Sequence, residues 1–172
     1  MNQIVANSLR FVLFILFQVL VLNNLEIGGG MYPMLYPLFI FMLPFQINTV
    51  SLMVIAFFFG LFIDALSNTF GLHASAAVVF AFCRPLLFKV FSPRDGYENI
   101  ETVSIHTLGI RWFVYNFGLL LLIHHTWFFL IEVFKWNEFL LILRKLILSW
   151  PISLGLALLT QFIFFQKKKV DR

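Results

Sequence analysis

Charge is scarce in this sequence. Charged side chains make up 12% of its 172 residues, about half the share usual in a soluble domain. Cysteine is scarcer: Cys83 stands alone, so an internal disulfide is impossible, and its place inside an apolar run gives no ligand spacing for a metal. No Ser-His-Asp grouping, H-E-x-x-H pair or glycine-rich phosphate loop occurs. Nothing therefore reads as an active site, a metal centre or a cofactor fingerprint, and the sequence predicts a chain that is not an enzyme. A cleavable leader is not expected either. Residues 11–22 have signal-peptide length, but Asn23-Asn24-Leu25-Glu26 follows where a small-x-small site would be needed, so this run is expected to stay as a first helix.

What is present is apolar. Hydrophobic residues reach 61%, with 24 phenylalanines, against roughly 45–50% apolar in soluble domains. A core of this size cannot hide them, so the chain reads as one polytopic membrane domain over 1–172. The runs are too long and too poor in alternating polar residues for a β-barrel. Each lipid-exposed backbone group must then be paired within its own segment, which makes the fold class all-α, a bundle of about six transmembrane helices. The formal net charge of +4 sits between or beyond the apolar runs, as topology-setting charge does, and is not a nucleic-acid surface.

The runs place helices at about 8–23, 31–45, 49–66, 72–91, 110–133 and 146–165. Residues 31–45 fit least well: they carry Pro33, Pro37 and Pro44, and as a helix would reach only ~22 Å of a ~30 Å hydrocarbon core. The segment is either a short or kinked span or a re-entrant piece packed against protein. The longest polar stretch is 92–109, a connecting loop with Arg94, Asp95, Glu98 and Glu101. Lys135-Trp136-Asn137-Glu138 forms a polar break, 139–148 is expected to begin as an interfacial turn, and Pro151 is expected to kink the last helix. Six crossings with both ends inside put Arg10, Arg84, Lys89, Arg94, Arg111, Lys167, Lys168, Lys169 and Arg172 on the cytoplasmic side. Lys135, Arg144 and Lys145 are left outside, the asymmetry of the positive-inside rule. Trp112, Tyr115, Trp127, Trp136 and Trp150 read as interfacial anchors and lipid-facing filler.

Polar groups at membrane depth are the candidate functional residues. Asp64 is the one carboxylate between Glu26 and Asp95, and His73 follows beyond a turn. They would form either a ligand- or proton-binding pair or a structural clamp in which Asp64 meets His73 or the Ser67–Thr69 turn. Arg84 lies ~12 Å deeper than Asp64 along helix four. It is expected to snorkel to the inner interface or bind carbonyls freed by Pro85, with a lipid phosphate as the functional alternative. His124 and His125 point about 100° apart on one helix and cannot share a metal. Interhelical hydrogen bonds are expected for them, with Glu132 about two turns on.

Taken together, Gly60-Leu61-x-x-Asp64, Gly71-Leu72-His73-Ala74 and Arg84-Pro85 resemble the rod shape-determining MreD family. Tyr36-Pro37-Leu38-Phe39-Ile40, Leu43-Pro44-Phe45 and His124-His125 before Glu132 fit too, so the resemblance covers nearly the whole chain. It implies a non-enzymatic subunit of the bacterial cell-elongation complex in the cytoplasmic (inner) membrane, needing no cofactor. Its implied partners are MreC and, through the complex, the MreB filament system, a RodA-type glycosyltransferase and a class B transpeptidase. The implied fold is similar to the six-helix substrate-binding subunits of energy-coupling-factor vitamin transporters. Such a transporter subunit is the alternative function. It would need small residues at four-residue spacing on helix one, where Leu9-Arg10-Phe11-Val12-Leu13-Phe14-Ile15-Leu16-Phe17 is bulky throughout.

Overall fold

A computed structural model describes residues 3–25, 28, 30–93, 96, 97, 100 and 103–164. The charged loop residues Arg94, Asp95, Glu98 and Glu101, Glu26, and the basic tail from Lys167 lie outside the described residues. Regular structure among the described residues is entirely helical: α1 Gln3–Leu20, α2 Pro37–Met42, α3 Thr49–Ser67, α4 Leu72–Val90, α5 Ile105–Leu108, α6 Ile110–Val133 and α7 Phe139–Phe164. Among the described residues, 5 helices are long and apolar enough to cross a membrane: those built on α1, α3, α4, α6 and α7.

The helix ends follow from local chemistry. Asn24 Nδ2 donates to the carbonyls of Val19 and Leu20, supplying partners to the last turn of α1. Asn48 opens α3 by accepting the Ser51 N–H on Oδ1 at 2.8 Å. Asn68 (φ 55°) closes α3 in the left-handed region, and Gly71 (φ 82°) starts α4 there. α1 begins at Gln3, earlier than the apolar run, and within it Arg10 Nη1 donates to Asn7 Oδ1 at 3.2 Å. The last helix also begins earlier than expected. Residues 139–145 already belong to α7, and Pro151 lies within it without ending it.

The segment expected as a helix over 31–45 is helical only at Pro37–Met42. Pro37 occupies the first turn, where its missing N–H costs nothing. Pro44 forces Leu43 out of the helical region, to φ −61°, ψ 151°. The segment nevertheless runs the length of the bundle. At one end Asn23 Nδ2 donates to Ser67 Oγ at 2.7 Å, joining the ends of α1 and α3. The segment leaves that end and arrives at Asn48, the start of α3, a 19-residue helix ~28 Å long. On the way it runs beside α7 in the same direction: Tyr32 N–H donates to Ser149 Oγ, Met34 N–H to Ser153 Oγ, and Gln161 Nε2 to Met42 Sδ. Among the described residues, the bundle thus holds five long helices and one broken, buried segment that runs alongside α7.

A buried extended chain has polar groups that no helix satisfies. Here side chains satisfy them. Gln18 Oε1 accepts the Leu35 N–H at 2.8 Å while its Nε2 donates to the Pro33 carbonyl at 3.1 Å. Residues 33–43 are buried throughout. Their side chains, with Phe59, Phe80, Phe113 and Phe117, form an aromatic core in which Phe39 and Phe59 lie 4.6 Å apart and Phe41 and Phe117 5.1 Å. Of the expected lipid-facing aromatics, two are tied to the fold: Trp150 Nε1 donates to the Gly118 carbonyl of α6, and Trp112 Nε1 to the Phe91 carbonyl.

Candidate functional site

The α3–α4 hairpin sets the first part of the polar centre. At Gly60, a Cβ would stand 2.5 Å from Ala74 Cα and 2.6 Å from Ala74 N. Only glycine lets α4 approach so closely, and the approach brings Asp64, one turn on, against the start of α4. Asp64 is 4% exposed. Its Oδ1 accepts the Thr69 hydroxyl at 2.6 Å and the His73 N–H at 3.0 Å, and Oδ2 accepts the Ala74 N–H at 2.9 Å. The carboxylate therefore does for α4 what Gly71, lacking a side chain, cannot: it takes the orphan N–H groups of the first turn, at the positive end of the helix dipole. The clamp exists, and its link to His73 is through that residue's backbone.

The His73 ring turns inward. It lies edge-on to Tyr36, centroids 5.2 Å apart, and 4.9 Å from Phe128. Its Nδ1 is buried and has no hydrogen-bond partner among the described residues. His124 packs on Tyr36 at the same 5.2 Å, its Nε2 2.5 Å from the Tyr36 hydroxyl. His125 points elsewhere, as helical geometry requires. Its Nδ1 stands 2.9 Å from the Leu121 carbonyl and must carry a proton to bond it. In the neutral ring Nε2 is then an acceptor, 3.2 Å from Ser153 Oγ, whose hydroxyl can donate to it while accepting the Met34 N–H at 2.8 Å. Both histidines are fully buried. They join α6 to the broken crossing and to α7, which is the interhelical role expected for them.

Arg84 departs from expectation. It neither snorkels nor bonds carbonyls freed by Pro85, and at 2% exposure it offers no contact to a lipid phosphate. Nε donates to the Phe41 carbonyl at 3.1 Å and Nη2 to the Leu43 carbonyl. The guanidinium also lies 4.6 Å from the Phe88 ring centre. The fork thus holds the end of α2, where Leu43 and Pro44 break the helix and leave carbonyls without N–H partners. Glu132 is separate again: both its oxygens accept from Lys145 Nζ at 2.9 Å, close to the ring of Tyr32.

The structure therefore brings His73 and His124 against Tyr36, ties Asp64 to the His73 backbone and His125 to Ser153, and separates Arg84 and Glu132 from them. Gln18, Tyr36, Ser149 and Ser153 complete the centre, yet isolated in their runs they read as tolerated polarity. The available signal was the proline-broken segment, whose unpaired backbone needs such donors and acceptors. Chemically, the centre is a set of ties between elements. No group of three or more His, Cys, Asp or Glu among the described residues could hold a metal ion. A groove of about 430 Å³ between α1 and α7 is lined by none of Asp64, His73, His124 or His125. The chain matches no protein-family model, no curated protein and no solved structure.

Proposed function

We propose that this chain is a non-enzymatic membrane subunit of the bacterial cell-elongation complex, like the MreD family that its motifs resemble. In this reading it binds MreC and supports lateral peptidoglycan synthesis and cell shape. MreB, a RodA-type glycosyltransferase and a class B transpeptidase associate through the complex. The observation that carries the reading is the Asp64 carboxylate, the polar group most apt for chemistry at this depth, with both oxygens occupied by Thr69 and the first N–H groups of α4. An acid so engaged supports a rigid scaffold whose outer faces receive other helices. The five long helices and the broken segment are compatible with the fold of energy-coupling-factor substrate-binding subunits, and the basic residues favour both termini on the cytoplasmic side.

Depletion of the protein in its host is the direct test: rods should round into spheres, and unchanged rod growth would overturn the assignment. Purification in mild detergent separates the proposal from a transporter subunit. A single-span coiled-coil partner travelling with the chain supports the scaffold, whereas a tightly retained vitamin supports transport.

A further inference from the structure

Two adjacent histidines hold the broken segment, and their protons are constrained by one another. His124 Nε2 stands 2.5 Å from the Tyr36 hydroxyl. His125 reaches the same segment through Ser153, its Nε2 3.2 Å from the hydroxyl oxygen that accepts the Met34 N–H. The two Nδ1 atoms stand 3.5 Å apart. His125 Nδ1 carries the proton that bonds the Leu121 carbonyl. His124 Nδ1 is therefore the bare nitrogen, because a second N–H there would meet the first head-on. In the neutral His124 ring the proton then lies on Nε2 and is donated to the Tyr36 oxygen. The ties to Met34 and Tyr36 thus belong to two neutral rings held in opposite tautomers.

We infer that the His124–His125 pair is a pH-sensitive lock on the broken segment, closed while both rings are neutral and opened by a proton on either. A proton added to His124 goes to Nδ1 and sets two N–H donors against each other. One added to His125 goes to Nε2, where Ser153 must stop donating while the Met34 N–H still claims its oxygen. Both rings are fully buried, and a buried charge is costly unless it is paired. The elements packed around the pair supply no carboxylate to it among the described residues. α4 brings Phe80 to His124 and His73 to Tyr36, and a proton on His73 would add like charge. From α3 comes Asp64, whose oxygens are taken by Thr69 and the first N–H groups of α4. α7 contributes the uncharged Ser153, and its Lys145 is paired with Glu132 of α6. Gln18 of α1, on the Leu35 N–H, is uncharged. The open state binds more protons than the closed one, so stability falls as pH drops below the ordinary histidine value of ~6.5. The lock does not depend on which proteins the chain binds.

The test melts the full chain in mild detergent at pH 8 and pH 5.5. Two histidines that take up protons only on opening should lower the melting temperature by about 5 °C at the lower pH. In the double variant His124→Gln with His125→Asn, amide N–H groups stand in for Nε2–H and Nδ1–H and do not titrate, so most of that drop should vanish. His106→Gln, on α5, should keep it. No drop in the native chain, or an undiminished drop in the double variant, would overturn the lock. Nitrogen NMR of the histidine-labelled native chain reads the same device without substitution. At pH 8 His124 should carry its proton on Nε2 and His125 on Nδ1. On acidification a second proton on either ring should arrive together with loss of exchange protection at the Met34 amide. A proton on His124 Nδ1 at pH 8, or protonation that leaves the Met34 amide protected, would overturn the inference.

Discussion

The Tyr36 hydroxyl stands 2.5 Å from His124 Nε2, joining the broken segment at the start of α2 to the middle of α6. The bond lies where two fully buried rings meet, with His73 also edge-on to Tyr36. Tyr36→Phe keeps the ring and removes the hydroxyl, leaving Nε2 buried and unsatisfied, a loss of about 1–3 kcal/mol. A lowered melting temperature in detergent is expected. In a double-mutant cycle with His124→Phe, the second substitution should cost less in the Tyr36→Phe background than alone. Additive effects would show that the bond contributes nothing.

Asp64 gives the second prediction. Asp64→Asn preserves shape but exchanges one acceptor oxygen for an N–H₂ group facing the N–H of His73 or Ala74. A charge-assisted cap is lost and a donor is left facing a donor, for an expected loss of about 2–4 kcal/mol. Thr69→Val removes only one of the hydrogen bonds to Oδ1 and should cost about 1 kcal/mol. Both are read by thermal melting or by protein accumulation in the membrane. If Asp64→Asn accumulates and melts normally while rod shape is lost, the carboxylate has a chemical role and the scaffold reading fails.

Hydropathy alone was enough for the five long helices, because a lipid-crossing run has to be apolar and helical at once. Residues 110–133 of α6 match to the residue, and α3 and α4 to within one. The crossing at 31–45 was not legible to the same degree. Its prolines signal a break, but whether the chain continues across depends on Gln18 of α1 and on Ser149, Ser153 and Arg84, the last three from helices far away in sequence. The Asp64 clamp could be foreseen because acid and turn are neighbours in the chain. The partner of Arg84 could not, since it is a pair of carbonyls from another element. Tyr36 was visible as a motif residue, but its contact with two histidines is a property of packing.

Arg84 makes a third prediction. Its fork bridges the carbonyls of Phe41 and Leu43, a geometry that an ammonium on a flexible stem does not reproduce. Arg84→Lys should therefore fail to restore stability fully, and Arg84→Met should lose more, because buried carbonyls left without donors cost about 1–3 kcal/mol each. Limited proteolysis in detergent should show faster cleavage near 43–48 in both variants. Native-like protection in Arg84→Met would mean that Pro44 alone holds the break.

Two glycines offer a matched pair. A Cβ on Gly60 would lie 2.5 Å from the Ala74 backbone, whereas one on Gly155, in α7, meets nothing within 4 Å. Neither substitution changes polarity, and both favour helix by about 1 kcal/mol through propensity. Gly155→Ala should thus be neutral or slightly stabilising. Gly60→Ala must push α4 away from α3, because the obstacle is backbone and cannot rotate aside. Moving α4 also pulls the His73 and Ala74 N–H groups off Asp64, so packing and capping fail together, and the expected result is loss of folded protein from the membrane. The comparison is made by detergent-solubilised yield and melting temperature for the two variants side by side. Equal behaviour would show that the α3–α4 contact tolerates separation and that the Asp64 clamp does not depend on it.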